Sequence, residues 1–188
     1  MILGVTPRIM LDSDIGEIKA EIRDLQPEGI LSCNPGTNSL HPTCHIDYSQ
    51  NVFNDIDITH DFPIVSPELS LRDLSGFQNK AFATMVHGRL RLMTLRHRFD
   101  KNSISDGKGR FFIKTIRNGS EIINEKELGL FSRSAELLKR GINSFYVDTD
   151  RNISRVVAYY RSVLDGNVPD DRKLKKEYVL GWHFRGVE

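Results

Sequence analysis

Cysteine is scarce: Cys33 and Cys44 are the only two among 188 residues. No apolar run approaches the length needed to cross a bilayer, and the opening "MILGVTPRIMLDSD" turns polar too early for a signal peptide. A cytoplasmic location and no membrane partner are therefore expected, with both cysteines as reduced thiols. The sequons at Asn118 and Asn152 then carry no weight, because glycosylation needs a secreted chain. There is no phosphate loop, dinucleotide glycine fingerprint, paired CxxC, HExxH or nucleophile elbow, so no short motif fixes a reaction. Repeats, low-complexity tracts and linkers are lacking too, and residues 1–188 read as one domain. Acids are missing from one long stretch: none lies between Asp73 and Asp100, and within it "VHGRLRLMTLRHR" carries four arginines and two histidines.

What is present is ordinary for a globular protein, with 39% hydrophobic and 27% charged residues. The net charge of +1 conceals an asymmetry. Residues 1–60 carry three basic and nine acidic side chains, and the remaining 128 carry 23 and 16. An acidic first third and a basic remainder attract each other or steer an anionic partner to the second part.

Short apolar runs alternate with helical patterns, which predicts an α/β fold with a mostly parallel sheet. "ILGV", "GILSCN", "CHID", "DFPIVS", "FATMVHG" and "SFYVD" read as strands. In "SDIGEIKAEIRDL", Ile15, Ile18, Ile22 and Leu25 share one helical face. Ser66-Pro67 starts a helix that stops by Gly76. "RFFIKTIRN" and "SEIIN" form a hairpin about Asn118-Gly119, a pair that supplies positive φ angles. "SAELLKRG" is a helix capped by its glycine. "NISRVVAYYRSVLDG" begins at an asparagine cap, with Ile153, Val156, Val157, Tyr160 and Leu164 on one face. About six core strands are too few for a full eight-stranded barrel of about 250 residues.

Three polar clusters fall at predicted strand ends, where parallel-sheet folds place their sites. In "HPTCHIDYSQNVFN", His41, Cys44 and His45, with Cys33 upstream, are ligand types for zinc, but their spacing matches no finger, and the cysteines also fit strand interiors. Asp47, Asn51 and Asn54 either fix a loop through its backbone or face a substrate. In "VSPELS", Glu68 falls in the first turn of a helix, where a carboxylate complements the helix dipole or serves as a general base. His87 and Gly88 end a strand, where glycine admits a ligand or another backbone. Beyond them, Leu90 and Leu92 lie on one face and Met93 and Leu95 on the other. A bend or bulge near Met93 is expected, fanning Arg89, Arg91, Arg96 and Arg98 in different directions. That basic stretch suits a phosphate-bearing partner, a solvated surface or an intersubunit face.

Taken in order, "VTPRI", "DYSQNVFN", "VSPELSL", "MVHGRLRLM", "DGKGRFFIK", "EIINEKELGL", "RGINSFYVDTDR", "VVAYYRSVL" and "GWHFRGVE" resemble the C-terminal half of the peptidase U32 family, the collagenase-like peptidases. The resemblance spans nearly the whole chain. It implies a partial (β/α) TIM-barrel-like sheet with flanking helices and a β-hairpin insertion, lacking the N-terminal strands of the barrel. It also implies a peptidase of unknown catalytic type, whereas some relatives support hydroxylation of RNA or of a quinone precursor, a few with an iron–sulfur cluster. By the same resemblance Asp47, Asn51, Glu68 and His87 line the site. Where the family is commonly cysteine-rich, "RLRLMTLRHRFD" has no cysteine, so a self-contained iron–sulfur cluster is not expected, and any other cofactor is left open.

The expected function is thus hydrolysis of a peptide, with Glu68 and His87 as acid and base, Asp47, Asn51, Arg89 and Arg96 as substrate-binding residues, and no assigned metal ligand. The alternatives are an RNA- or quinone-modifying relative and a non-catalytic half barrel that binds RNA or a partner subunit. A second chain or second copy is expected to cover the edge left open by the first strand.

Overall fold

The computed structural model of the chain describes residues 3–32, 39–46, 63–77, 81–167, 169–170, 178–181 and 184. Asp47, Asn51, Asn54 and Cys33 lie outside the described residues.

Near the N-terminus, β1 (Leu3–Val5), β2 (Gly29–Ser32) and β3 (Cys44–Ile46) pair in parallel in that order. The crossover between β1 and β2 is α1 (Ile15–Leu25). Its apolar stripe buries Ile18, while Leu25, at the far end of the predicted face, is 76% exposed. Gln26 ends the helix in the left-handed region at φ 43°, and Gly29–Ser32 is buried throughout, as expected of an interior parallel strand.

A second sheet holds β4 (Thr84–Gly88) between β10 (Phe145–Asp148), to which it is parallel, and β9 (Leu128–Gly129), to which it is antiparallel. Of the predicted strand "DFPIVS", residues 63–66 are described, and among them a single parallel bridge joins Ile64 to Ala83. The helix after it, α2 (Leu71–Gly76), starts later than Ser66-Pro67 suggests. Ser70 accepts the Asp73 N–H at its N-terminus, and Pro67-Glu68 forms a turn before it. Glu68 is therefore not in a helical first turn.

The third sheet is antiparallel, in the order β5 (Arg91–Leu95), β8 (Gly119–Asn124), β7 (Arg110–Ile116) and β6 (Ser103–Ser105). The expected break is real: β4 stops at Gly88, β5 starts at Arg91, and its register against β8 slips between Arg91 and Met93. Only Leu90 of the four apolar residues is buried; Leu92 and Met93 are exposed. The hairpin also forms, but its two turn residues are Arg117 and Asn118, and neither Asn118 nor Gly119 has a positive φ. Gly119 is required for another reason: a Cβ there would stand 1.9 Å from the Leu95 carbonyl oxygen.

Against the second sheet pack α3 (Ser134–Lys139) and α4 (Ile153–Leu164). Gly141, at φ 80°, closes α3 with paired bonds from its own N–H to Leu138 and from the Ile142 N–H to Leu137. Asn152 does occupy the position before α4, in the left-handed region at φ 49°, but its side chain caps nothing. The buried face of α4 is Val156, Tyr159, Tyr160 and Val163, whereas Ile153, Val157 and Leu164 are exposed. The face is turned from the predicted one because both tyrosines pack on Phe131, at centroid distances of 5.0 and 5.7 Å. The main core lies among β4, α2, α3 and α4 and includes Val65, Leu74, Phe82, Met85, Leu128 and Leu137.

The architecture is mixed α/β, with several sheets and no closed barrel among the described residues. No helix among those residues is long and apolar enough to cross a membrane.

Candidate functional site

Parallel pairing brings the carboxyl ends of β4 and β10 together, with Gly88 opposite Asp148. Gly88 has φ 125°, and a Cβ on it would lie 2.0 Å from the Asp148 carbonyl oxygen. Glycine here admits another backbone, one of the two uses that the sequence suggested. Beyond this junction opens a cleft of about 290 Å³. Arg89 and Arg91 enter it from the β4–β5 connection; Lys114, Glu121 and Ile123 come from the hairpin. The remaining walls are Glu127 and the run Asp148, Thr149 and Asp150.

The two arginines are engaged by the protein itself. Arg91 Nη2 binds Asp148 Oδ2 at 2.6 Å, and its Nε lies 3.8 Å from Glu121 Oε2. Glu121 also takes Arg8 Nε at 2.9 Å. Arg89 donates to the backbone carbonyls of Asn124, at 3.1 Å, and Glu125, and its guanidinium stands 5.0 Å from the centre of the Phe112 ring. Such pairing restrains the arginines and leaves the cleft mixed in charge, a poor match to a run of phosphates.

Beside the cleft, His87 is fully buried. The rings of Tyr178, Phe131 and Tyr160 surround it at centroid distances of 5.0, 5.3 and 5.9 Å. Neither ring nitrogen has a hydrogen-bond partner among the described residues. Desolvation lowers its pKa from 6.5 to about 4, so the imidazole is neutral near pH 7. Its Nε2 is 4.0 Å from Glu127 Oε2, beyond direct hydrogen bonding. The other Glu127 oxygen lies 4.0 Å from Arg89 Nε and accepts a 3.4 Å bond from the Thr149 hydroxyl. Tyr160 donates to the Val86 carbonyl at 2.7 Å, and burial keeps its phenol protonated well above its ordinary range.

Arg89 is thus in the cleft and His87 beside it. Glu68 is exposed on its turn and Arg96 is exposed just past β5; neither lines the cleft. Cys44 is buried, and the Thr43 N–H donates to His41 Nδ1 at 3.0 Å. Among the described residues no three His, Cys, Asp or Glu side chains are grouped to hold a metal ion. The sequence reading missed Glu127, Glu121 and Asp148. Asp148 ends the predicted strand "SFYVD", so the strand-end rule reaches it. Glu127 has no local signature: antiparallel pairing of Leu128–Gly129 with His87 and Gly88 carries it to the cleft. Comparison of the chain with protein-family models, with curated proteins and with solved structures gives no match.

Proposed function

We propose that this chain is a U32-type peptidase-like domain, that its parallel strands belong to a partial (β/α) barrel, and that the cleft binds and hydrolyses a peptide in the cytoplasm. The observation that carries this reading is the fully buried, unpartnered His87 next to Glu127, at the carboxyl ends of two parallel strands. A buried polar group without a partner costs about 1–3 kcal/mol, which a fold retains most readily where chemistry uses it. The mixed charge of the walls suits a peptide, whose backbone and termini present both donors and acceptors.

In this reading Glu127, rather than the exposed Glu68, is the carboxylate of the site. It removes a proton from water as the water oxygen bonds to the peptide carbonyl carbon, and Arg89 stabilises the oxyanion. The proton then passes to the amide nitrogen as the carbon–nitrogen bond breaks, releasing an acid and an amine. His87 holds an uncharged imidazole beside Glu127, its Nε2 4.0 Å from Oε2, at the buried end of the site.

Mass spectrometry of an unstructured peptide incubated with the purified chain, with and without added divalent cations, tests the assignment. New termini are expected, with Glu127→Gln slowing their formation about 100-fold or more and Glu68→Gln leaving the rate unchanged. No cleavage under any of these conditions, or wild-type cleavage by Glu127→Gln, overturns the reading.

A second reading, a non-catalytic or RNA-modifying relative, is favoured by Arg96 and Lys101. Both are exposed on the β5–β6 connection and make no ion pair among the described residues. RNA binding that weakens steeply with salt, and less steeply after both are changed to Gln, supports it; salt-independent binding removes it. β1 lies at the edge of its described sheet, which is where a second copy or chain would add.

A further inference from the structure

β5 ends its sheet: one long side bonds to β8, and among the described residues no strand pairs with the other. Residues 92–95 make no backbone bond outside that pairing. Their outer N–H and C=O groups are left to solvent, on a strand whose Leu92 is 40% and Met93 52% exposed. We propose that this edge binds an extended acidic peptide, which adds to the sheet as a further strand.

An open strand edge is a template for another backbone, and its main-chain bonds give affinity whatever the side chains. Leu92 and Met93 add apolar contact. The register slip between Arg91 and Met93 leaves Leu92 without a partner on β8 and confines regular pairing to residues 93–95, so the affinity is modest. Charge then chooses among peptides. Residues 91–102 carry Arg91, Arg96, Arg98 and Lys101 against one acid, Asp100. Asp148 holds Arg91, whereas Arg96, Arg98 and Lys101 are exposed and make no ion pair among the described residues; Arg98 donates only to the Arg117 carbonyl. Glu121, opposite Thr94 on β8, is buried and engaged by Arg8 and Arg91. The cations beyond Leu95 are therefore open to carboxylates of a docked chain. The same charge disfavours a second copy, because antiparallel pairing of two β5 edges sets residues 96–98 of one against residues 89–91 of the other, cation against cation.

This inference does not rest on peptide hydrolysis. Fluorescence anisotropy of a labelled peptide of alternating threonine and valine, flanked by glutamates, should show saturable binding to the full chain at submillimolar concentration in low salt. Mass spectrometry of the same peptide reports cleavage separately, so either result can fail alone. Lysines in place of the glutamates should weaken binding at least about tenfold, and Arg96→Glu, a change of an exposed side chain, about tenfold. Amide hydrogen exchange over residues 92–95 should slow in the complex, while that of β6, at the opposite edge of the sheet, stays as it was. Absence of saturable binding, equal affinity for the lysine peptide, an Arg96→Glu variant that binds like wild type, or unchanged exchange over residues 92–95 overturns the proposal. So does equal or tighter binding of a polyuridine RNA of the same charge, which has no peptide backbone to add. The exchange measurement on the unaltered chain decides the matter even where the variant fails to fold.

Discussion

Burial holds His87 neutral at a pKa of about 4, against 6.5 in an open chain. Between those values the unfolded state binds a proton that the folded state refuses, so stability falls as the pH drops from 6.5 toward 4. Above 6.5 the full stability is present, and below about 4 the loss levels off, at about 3 kcal/mol for this group. His87→Leu keeps the aromatic cage filled and removes the titration. In urea unfolding, the variant should gain on wild type progressively as the pH falls through this window; a constant difference would exclude the effect. Gly119 makes a second prediction. Gly119→Ala puts a methyl group against the Leu95 carbonyl and should cost about 1–3 kcal/mol by separating β5 from β8, measured as a lowered denaturation midpoint. An unchanged midpoint would mean that β5 shifts without cost. The sequence marked Asn118-Gly119 correctly as a hairpin, yet for its φ angles, because a clash with a strand over twenty residues earlier leaves no trace in local pattern.

Elements were most legible where their causes are local. The glycines that end α3 and α4 act through the last helical turn alone, and both have the positive φ that this requires. The parity break near Met93 is likewise a property of consecutive residues. Packing decided the rest: α4 turned its face because Phe131 takes two adjacent tyrosines, and the described residues of "DFPIVS" keep one bridge of a predicted strand. For α2 a local signal was present but outranked by a better one. Ser70 and Asp73 form a reciprocal capping box, with Ser70 N–H to Asp73 at 2.9 Å and the return bond at 3.3 Å. Ser70→Ala should therefore cost about 1 kcal/mol, whereas Ser66→Ala does not touch this cap. An unchanged stability of Ser70→Ala in chemical denaturation would contradict the observed start of the helix. The candidate site was half legible for the same reason: His87, Arg89 and Asp148 sit at strand ends, while Glu127 depends on a strand of two residues.

Across the whole molecule, the acidic first third and the basic remainder meet. Arg117, in the hairpin turn, faces Asp14 at 3.8 Å, Glu21 at 3.9 Å, and Glu17. Next to it, Asn118 donates to the Ile9 carbonyl and to Asp14, at 2.8 and 2.7 Å. The charge asymmetry thus has a use within the chain, fastening the antiparallel sheet to α1. Exposed pairs contribute little singly but more as a network, so Arg117→Gln should lower stability by about 1 kcal/mol in dilute buffer and by much less in about 1 M salt. A salt-independent loss would point to packing instead. The fastening also has a clock. Arg117 leaves the ribosome 100 residues after Glu17, about 5–20 s later at ordinary synthesis rates. Over that interval the carboxylates of α1 face water and each other. This fastening of α1 therefore waits for the hairpin to emerge, and slowed synthesis of the residues between them would lengthen the exposure of α1 to proteases.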